Sequence, residues 1–205
     1  MSAELDPHKL RRALRNCTIG REIIVLEQTT STNDSVLERA GADALEGLVI
    51  FAEHQIAGRG QRGNRWESAP HKGLWFSMLL RPKIDVHESP RLTTWAAKTV
   101  TETIRAEFGL LPAIKAPNDI QIDGRKVAGV LVEMRAQANA PHIAIAGIGI
   151  NVNHAPEDFS EELRLRAVSL AIVLGHQIDR SKFAAQLLRD LDRSYADVFT
   201  GALVA

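Results

Sequence analysis

The run Ile120-Gln121-Ile122-Asp123-Gly124-Arg125-Lys126-Val127 constrains the fold more than any other stretch of this 205-residue chain. Asp-Gly between β-rich arms selects a two-residue type I′ turn, because both central positions need positive φ, and so a tight antiparallel hairpin. The second arm continues into an apolar run over residues 127–134, and residues 143–150 offer it a partner strand. Further strands are expected over residues 23–26, 48–52 and 74–80, with a long loop over residues 55–72. Leu92, Trp95, Ala96, Val100, Ile104 and Phe108 recur at helical spacing, which predicts a helix that stops at Gly109. A short helix is expected over residues 5–15, started by Asp6-Pro7. Another should begin at Ser31, where Ser31 and Asp34 have capping-box spacing. Two more are expected over residues 161–174, closed by Gly175, and 181–199. Hairpins amid mixed helices and strands fit an α+β sheet better than a regular βαβ alternation. The expected class is α+β, a mixed central β-sheet packed by helices.

Composition narrows the setting. Lys plus Arg and Asp plus Glu are 25 each, so the formal net charge is zero. Attachment to nucleic acid or an anionic membrane by bulk charge is therefore excluded. The single cysteine, Cys17, allows no internal disulfide. No apolar run reads as a signal peptide or a transmembrane helix. With no repeat or linker in view, residues 1–205 are expected to form one soluble, cytoplasmic domain.

Local motifs carry what chemistry there is. Between Gln55 and Trp66 lie Gly58, Gly60 and Gly63 with Arg59, Arg62 and Arg65, and no acid. Glycines let backbone N–H groups approach an anion, and arginine adds a bidentate clamp. A solvated basic loop and an RGG-like nucleic-acid tract are the other readings of the same residues. The spacing is neither a Walker A loop nor a dinucleotide fingerprint. Lys126 is expected opposite Gln121, on a strand face with Ala128 and Val130. A half-buried lysine there wants an anionic partner, unless its ammonium snorkels to water. Asn118-Asp119 reads as a turn, or as oxygen donors for hydrated Mg²⁺. Gly147 and Gly149 inside an apolar strand mark a close approach, by a ligand or by a packed helix. The seven histidines form no zinc pattern, and neither Cys17 nor Ser77 has a nucleophile's surroundings.

Taken in order, several segments resemble the catalytic domain of biotin protein ligases. They are Ser31-Thr32-Asn33, Glu53-His54-Gln55-Ile56-Ala57-Gly58-Arg59-Gly60 and Gly73-Leu74-Trp75-Phe76-Ser77, followed by Lys115-Ala116-Pro117-Asn118-Asp119. Gly124 through Glu133 and Gly147-Ile148-Gly149-Ile150-Asn151 complete the series. With flanking elements the resemblance runs from about residue 15 to about residue 195. It implies the class II aminoacyl-tRNA-synthetase-like fold of the biotin and lipoate ligases. It also implies ATP-dependent formation of biotinyl-5′-AMP, then transfer of biotin to a lysine of a biotin carboxyl carrier domain of a carboxylase.

The resemblance assigns roles residue by residue. Lys126 and Arg59 are the implied catalytic cations. The implied biotin-binding residues are Ser31, Thr32, Asn33, Gln55, Gly58, Arg59, Gly60, Gln61, Ser77, Lys126, Gly129, Leu131 and Gly147. The ATP or adenylate side takes Arg59, Arg62, Trp66, Asn118, Asp119, Lys126 and Asn151, with Asp119 as the Mg²⁺ ligand. Biotin and ATP are substrates, and no prosthetic group, nucleic acid or membrane is implied. A homodimer fits the family. Ala116 stands where members usually carry tryptophan, and Gln61 and Asn64 where many carry arginine, which lowers the positive charge of the loop. Neither an N-terminal helix-turn-helix domain nor a C-terminal SH3-like barrel is expected. A lipoate ligase or octanoyltransferase of the same superfamily is the alternative enzyme. The cysteine-thioester route of the transferases is disfavoured because Cys17 precedes every motif. A noncatalytic RNA-binding module is the alternative from another class.

Overall fold

A computed structural model describes residues 4–41, 44–137 and 142–200. Seven strands form one sheet in the order β1-β2-β3-β7-β6-β5-β4. They are β1 (Glu22–Thr29), β2 (Leu48–Gln55), β3 (Leu74–Leu80), β4 (Ala113–Lys115), β5 (Asp119–Ile122), β6 (Arg125–Arg135) and β7 (Ile143–Ile150). Only β1 and β2 run parallel; every other neighbouring pair is antiparallel. This is the expected α+β class. The five α-helices among the described residues are α1 (Pro7–Ala13), α2 (Thr32–Arg39), α3 (Ser89–Phe108), α4 (Leu170–Leu174) and α5 (Arg180–Tyr195).

The period-2 alternation of the strands sorts their side chains onto two unequal faces. Phe76, Met78, Ala128, Val130, Ala146 and Ile148 point into the main core with α3 and α5. Both helices are amphipathic: Trp95, Val100 and Ile104 of α3 and Phe183, Leu187 and Leu191 of α5 are buried there. The other face carries a smaller core of Val36, Leu48, Ile50, Leu79, Ile143 and Ile145 beneath α2. Beyond it, the register sets Ser77 opposite Gly147 and Gly129 opposite Gly149. Large apolar side chains are therefore replaced by glycine and serine at one end of this face, which leaves a depression beside the N-terminus of α2.

Four local expectations change. Ser31 precedes α2 but makes no side-chain cap. Gln55 Oε1 instead accepts from Thr32 N at 2.8 Å, and Asp34 turns to Arg59. The turn at Asp123 and Gly124 has φ of 50° and 74°, as a type I′ turn requires. Lys126 does lie opposite Gln121, but the register slips between Ile120 and Gln121. That bulge buries the consecutive Val127 and Ala128 in the main core. The Lys126 ammonium consequently lies beside Gly129 rather than on the face of Ala128 and Val130. The helix expected over 161–174 shrinks to α4, capped by Ser169. The preceding residues pair with β6 instead: Lys126 N donates to Arg166 O, and Val168 N to Lys126 O. Finally, the loop over residues 55–72 is internally bonded, with Arg59 and Arg65 bridged around the turn Gln61–Gly63.

Candidate active site

The depression is lined by Ser31, Thr32, Asn33, Gln55, Arg59, Gly60, Trp66, Asn118, Lys126, Gly129, Leu131 and Gly147, all singled out in the sequence, together with Val130, Ile148 and Gly149. One end is a network of amides and hydroxyls. Ser77 Oγ donates to Asn33 Oδ1 at 2.6 Å, and Thr32 Oγ1 lies 2.7 Å from Ser77 Oγ. Each hydroxyl has one proton, so Thr32 donates to Ser77 once Ser77 donates to Asn33. Asn33 Nδ2 then donates to Glu133 Oε2 at 2.6 Å. Ser77 is fully buried, behind Thr32 and Asn33. Gly147 is obligatory here, because a Cβ on it would run into Asn33 Oδ1. Ser68 Oγ bonds both the N–H and the carbonyl of Gln55, fixing the end of β2.

The other end is cationic. Lys126 Nζ lies 2.6 Å from Asp119 Oδ1 and 5.1 Å from the centroid of the Trp66 ring. Trp66 lies over Gly129 and Gly149, where added Cβ atoms would come within 3.0 and 2.6 Å of its ring. Arg59 NH2 reaches Asp34 Oδ1 at 2.7 Å and Glu133 Oε2 at 2.9 Å. Asn118 donates its amide N–H to Val130 O. Asn151 donates to Val168 O and Lys126 O, so it braces the backbone of β6.

Six residues named from the sequence do not line the depression. Ser77 supports it from beneath, Asn151 from behind, and Asp119 through Lys126. Gly58 packs under Trp66, where a Cβ would sit 2.7 Å from Trp66 O. Gln61 and Arg62 form the turn at the loop's tip, with Arg62 at φ 58° and exposed. The residue roles left out Gly149, Asp34 and Glu133. The strand pattern marks Gly149, whereas nothing local pairs the two acids with Arg59. Cys17 lies outside the depression, and burial together with Asp192 pushes its thiol pKa up, away from a thiolate nucleophile. Among the described residues the one cluster of three metal-capable side chains, Asp85, His87 and Glu88, lies elsewhere at the start of α3. No helix among them is long and apolar enough to cross a membrane.

Residues 25–151 match the Biotin/lipoate A/B protein ligase family. The bifunctional ligase/repressor BirA of Bacillus subtilis is 37% identical over 197 residues, which are 96% of this chain and 61% of that protein. The biotin–[acetyl-CoA-carboxylase] ligase of Mycobacterium tuberculosis is 33% identical, covering 92% of this chain and 71% of the relative. Among solved structures, the biotin protein ligase of Aquifex aeolicus in complex with biotin and ATP superimposes with a TM-score of 0.74. It is 28% identical, over 88% of this chain and 73% of that one. This chain thus spans less than two thirds of the length of the BirA relative.

Proposed function

The chain belongs to the biotin/lipoate A/B protein ligase family, and from that premise we propose that it activates biotin with ATP and passes it to a lysine of a biotin carboxyl carrier domain. The observation that carries this reading is one glycine-floored depression with a hydroxyl–amide network at one end and Lys126, with Arg59, at its charged end. The network of Thr32, Asn33, Gln55 and Ser77 suits the donors and acceptors of a ureido ring.

In the first step a biotin carboxylate oxygen attacks the α-phosphorus of ATP, and pyrophosphate leaves. In the second the acceptor lysine amine attacks the mixed anhydride carbonyl, forming an amide and releasing AMP. Substrates supply both nucleophiles, so the protein's task is positioning and charge neutralisation. Lys126 and Arg59 offset the repulsion between a carboxylate and a triphosphate. The loop from Gln55 to Trp66, with Gly58, Gly60, Gln61 and Arg62, closes over the adenylate and limits hydrolysis by water. Gly129, Leu131 and Gly147 line the stretch between the two ends, where the biotin tail runs, and Ser31 borders its head group. Trp66, Asn118 and Asn151 serve the nucleotide side.

Asp119 is a single carboxylate beside Lys126. A hard oxygen donor of this kind would hold an Mg²⁺ brought in with the nucleotide. Bound there, the ion would supply further neutralisation of the triphosphate. The same reading includes a cytoplasmic site of action and a homodimer, the latter checked by sedimentation equilibrium.

Pyrophosphate release that requires both biotin and Mg-ATP, with a mass gain on one acceptor lysine, is the expected result. No pyrophosphate would sink the reading. Calorimetry in which lipoate binds more tightly than biotin would redirect it to a lipoate ligase. Lys126→Ala should abolish adenylate formation, and full retained activity would remove Lys126 from its role.

A further inference from the structure

Glu133 has no part in the roles above, yet it bonds one residue of each half of the site. Its Oε2 accepts from Asn33 Nδ2 at 2.6 Å and from Arg59 NH2 at 2.9 Å. Through Asn33 it reaches Ser77 and Thr32. Through Arg59 it reaches the glycine-rich loop. Asp34, in the first turn of α2, takes the same guanidinium nitrogen at 2.7 Å. Two carboxylates thus neutralise Arg59, which the ligase reading assigns to a ligand anion. These ion pairs are open to water: the three side chains are 43%, 36% and 39% exposed. Each is therefore weak enough for a desolvated ligand carboxylate to displace.

Resting on the ligase reading, we propose that Glu133 is a positioning residue that holds Arg59 in a resting ion pair and links its release to the hydroxyl–amide end of the site. Glu133 then acts on a carboxylate ligand in two opposed ways. Its charge competes with the ligand for Arg59. Its oxygen orients the Asn33 amide, so that Asn33 Oδ1 stays with Ser77. Glu133→Gln separates the two, because a glutamine oxygen still accepts from Asn33 while the charge is gone. Glu133→Ala removes both. Asp34→Asn removes only competition, since Asp34 bonds Arg59 and lies outside the hydroxyl–amide network.

The test is calorimetry with biotin alone at low salt, beside limited trypsin cleavage of the ligand-free protein after Arg59, Arg62 and Arg65. Glu133→Gln and Asp34→Asn should each bind biotin about 1.5- to 5-fold more tightly than wild type, the range that loss of an exposed ion pair allows. Both should be cleaved faster by a similar factor. Glu133→Ala should be cleaved as fast as Glu133→Gln but bind biotin more weakly than it. Glu133→Gln with unchanged or weaker biotin binding, or with wild-type cleavage, overturns the proposal. A wild-type protein that binds no biotin overturns the ligase reading instead, and cleavage alone then decides whether Glu133 holds Arg59.

Discussion

Gly149 shows how much of this site is set by the absence of one atom. Its position on β7 faces Gly129 of β6, and the Trp66 ring covers both. Adding a Cβ at Gly149 places it 2.6 Å from the indole ring, a distance real Cβ atoms do not tolerate. The indole is held further by the Lys126 ammonium and by an edge contact with Trp75, 5.8 Å between centroids. Gly149→Ala should therefore lift Trp66 away and disturb Lys126, while the strand, already β-extended, keeps its pairing. Pyrophosphate release should fall by about tenfold or more, given how steeply rates depend on ångström-scale placement. The far-ultraviolet circular dichroism should be unchanged and the tryptophan emission shifted. Wild-type turnover would show that the Trp66 seat is irrelevant to the chemistry. The sequence pattern marks Gly147 and Gly149 as points of close approach, and the structure supplies the partners, Asn33 and Trp66. Those partners come from distant segments, so no local rule could have named them.

At the scale of elements, β2 does two jobs near its C-terminal end. Gln55 at its end serves the depression. Glu53, two residues earlier, is buried and serves the architecture. Its carboxylate takes Arg180 NH1 at 2.6 Å and NH2 at 3.1 Å. It also accepts from Leu5 N at 2.9 Å, and His71 Nδ1 lies 3.6 Å away. One side chain so joins β2 to the first residue of α5, to the segment before α1 and to the loop before β3. Removing one partner of a buried pair strands the other charge in a low-dielectric interior. Glu53→Ala is expected to cost about 3–5 kcal/mol, which for a chain of this size lowers Tm by about 6–20 °C. Replacing Glu53 and Arg180 together with methionine should recover part of that loss. A single replacement that melts like wild type would show that the pair is structurally idle. Elements were more legible than their joints. The hairpin, α3, β6 and β7 carry long periodic signals and match the sequence expectation. The 161–174 helix fails because residues 166–168 find backbone partners on β6, a tertiary bond that intrinsic helical pattern cannot anticipate. β4 has only three residues, too few for a period to register.

For the molecule as a whole, zero net charge removes any large self-repulsion near neutral pH, so the acid limit of stability is set by particular groups. His154 is one such group. Its ring is buried between Trp75 and Phe159, at 5.6 and 4.9 Å between centroids, and its Nδ1 has no hydrogen-bond partner among the described residues. Burial pushes its pKa down from 6.5 to about 4, with Lys72 pushing the same way and Asp158 opposing. Between those two values the unfolded chain binds a proton that the folded chain refuses. Stability therefore falls as pH drops from about 6.5 toward 4 and levels off for this group below that. Backbone N–H and Lys72 bonds lower the Asp158 pKa against its own desolvation, so its contribution is likewise lost on acidification, at still lower pH. For His154 the full span corresponds to about 3 kcal/mol, a sizeable share of the 5–15 kcal/mol that typically holds a domain together. Thermal melts at pH 7.5 and pH 4.5 should differ by several degrees more in wild type than in His154→Phe, which keeps an aromatic ring in the stack and cannot protonate. Equal pH slopes in the two proteins would show that His154 stays solvated enough to titrate normally. A smaller slope in the variant would instead tie the acid tolerance of the fold to one imidazole lying just behind the wall of its site.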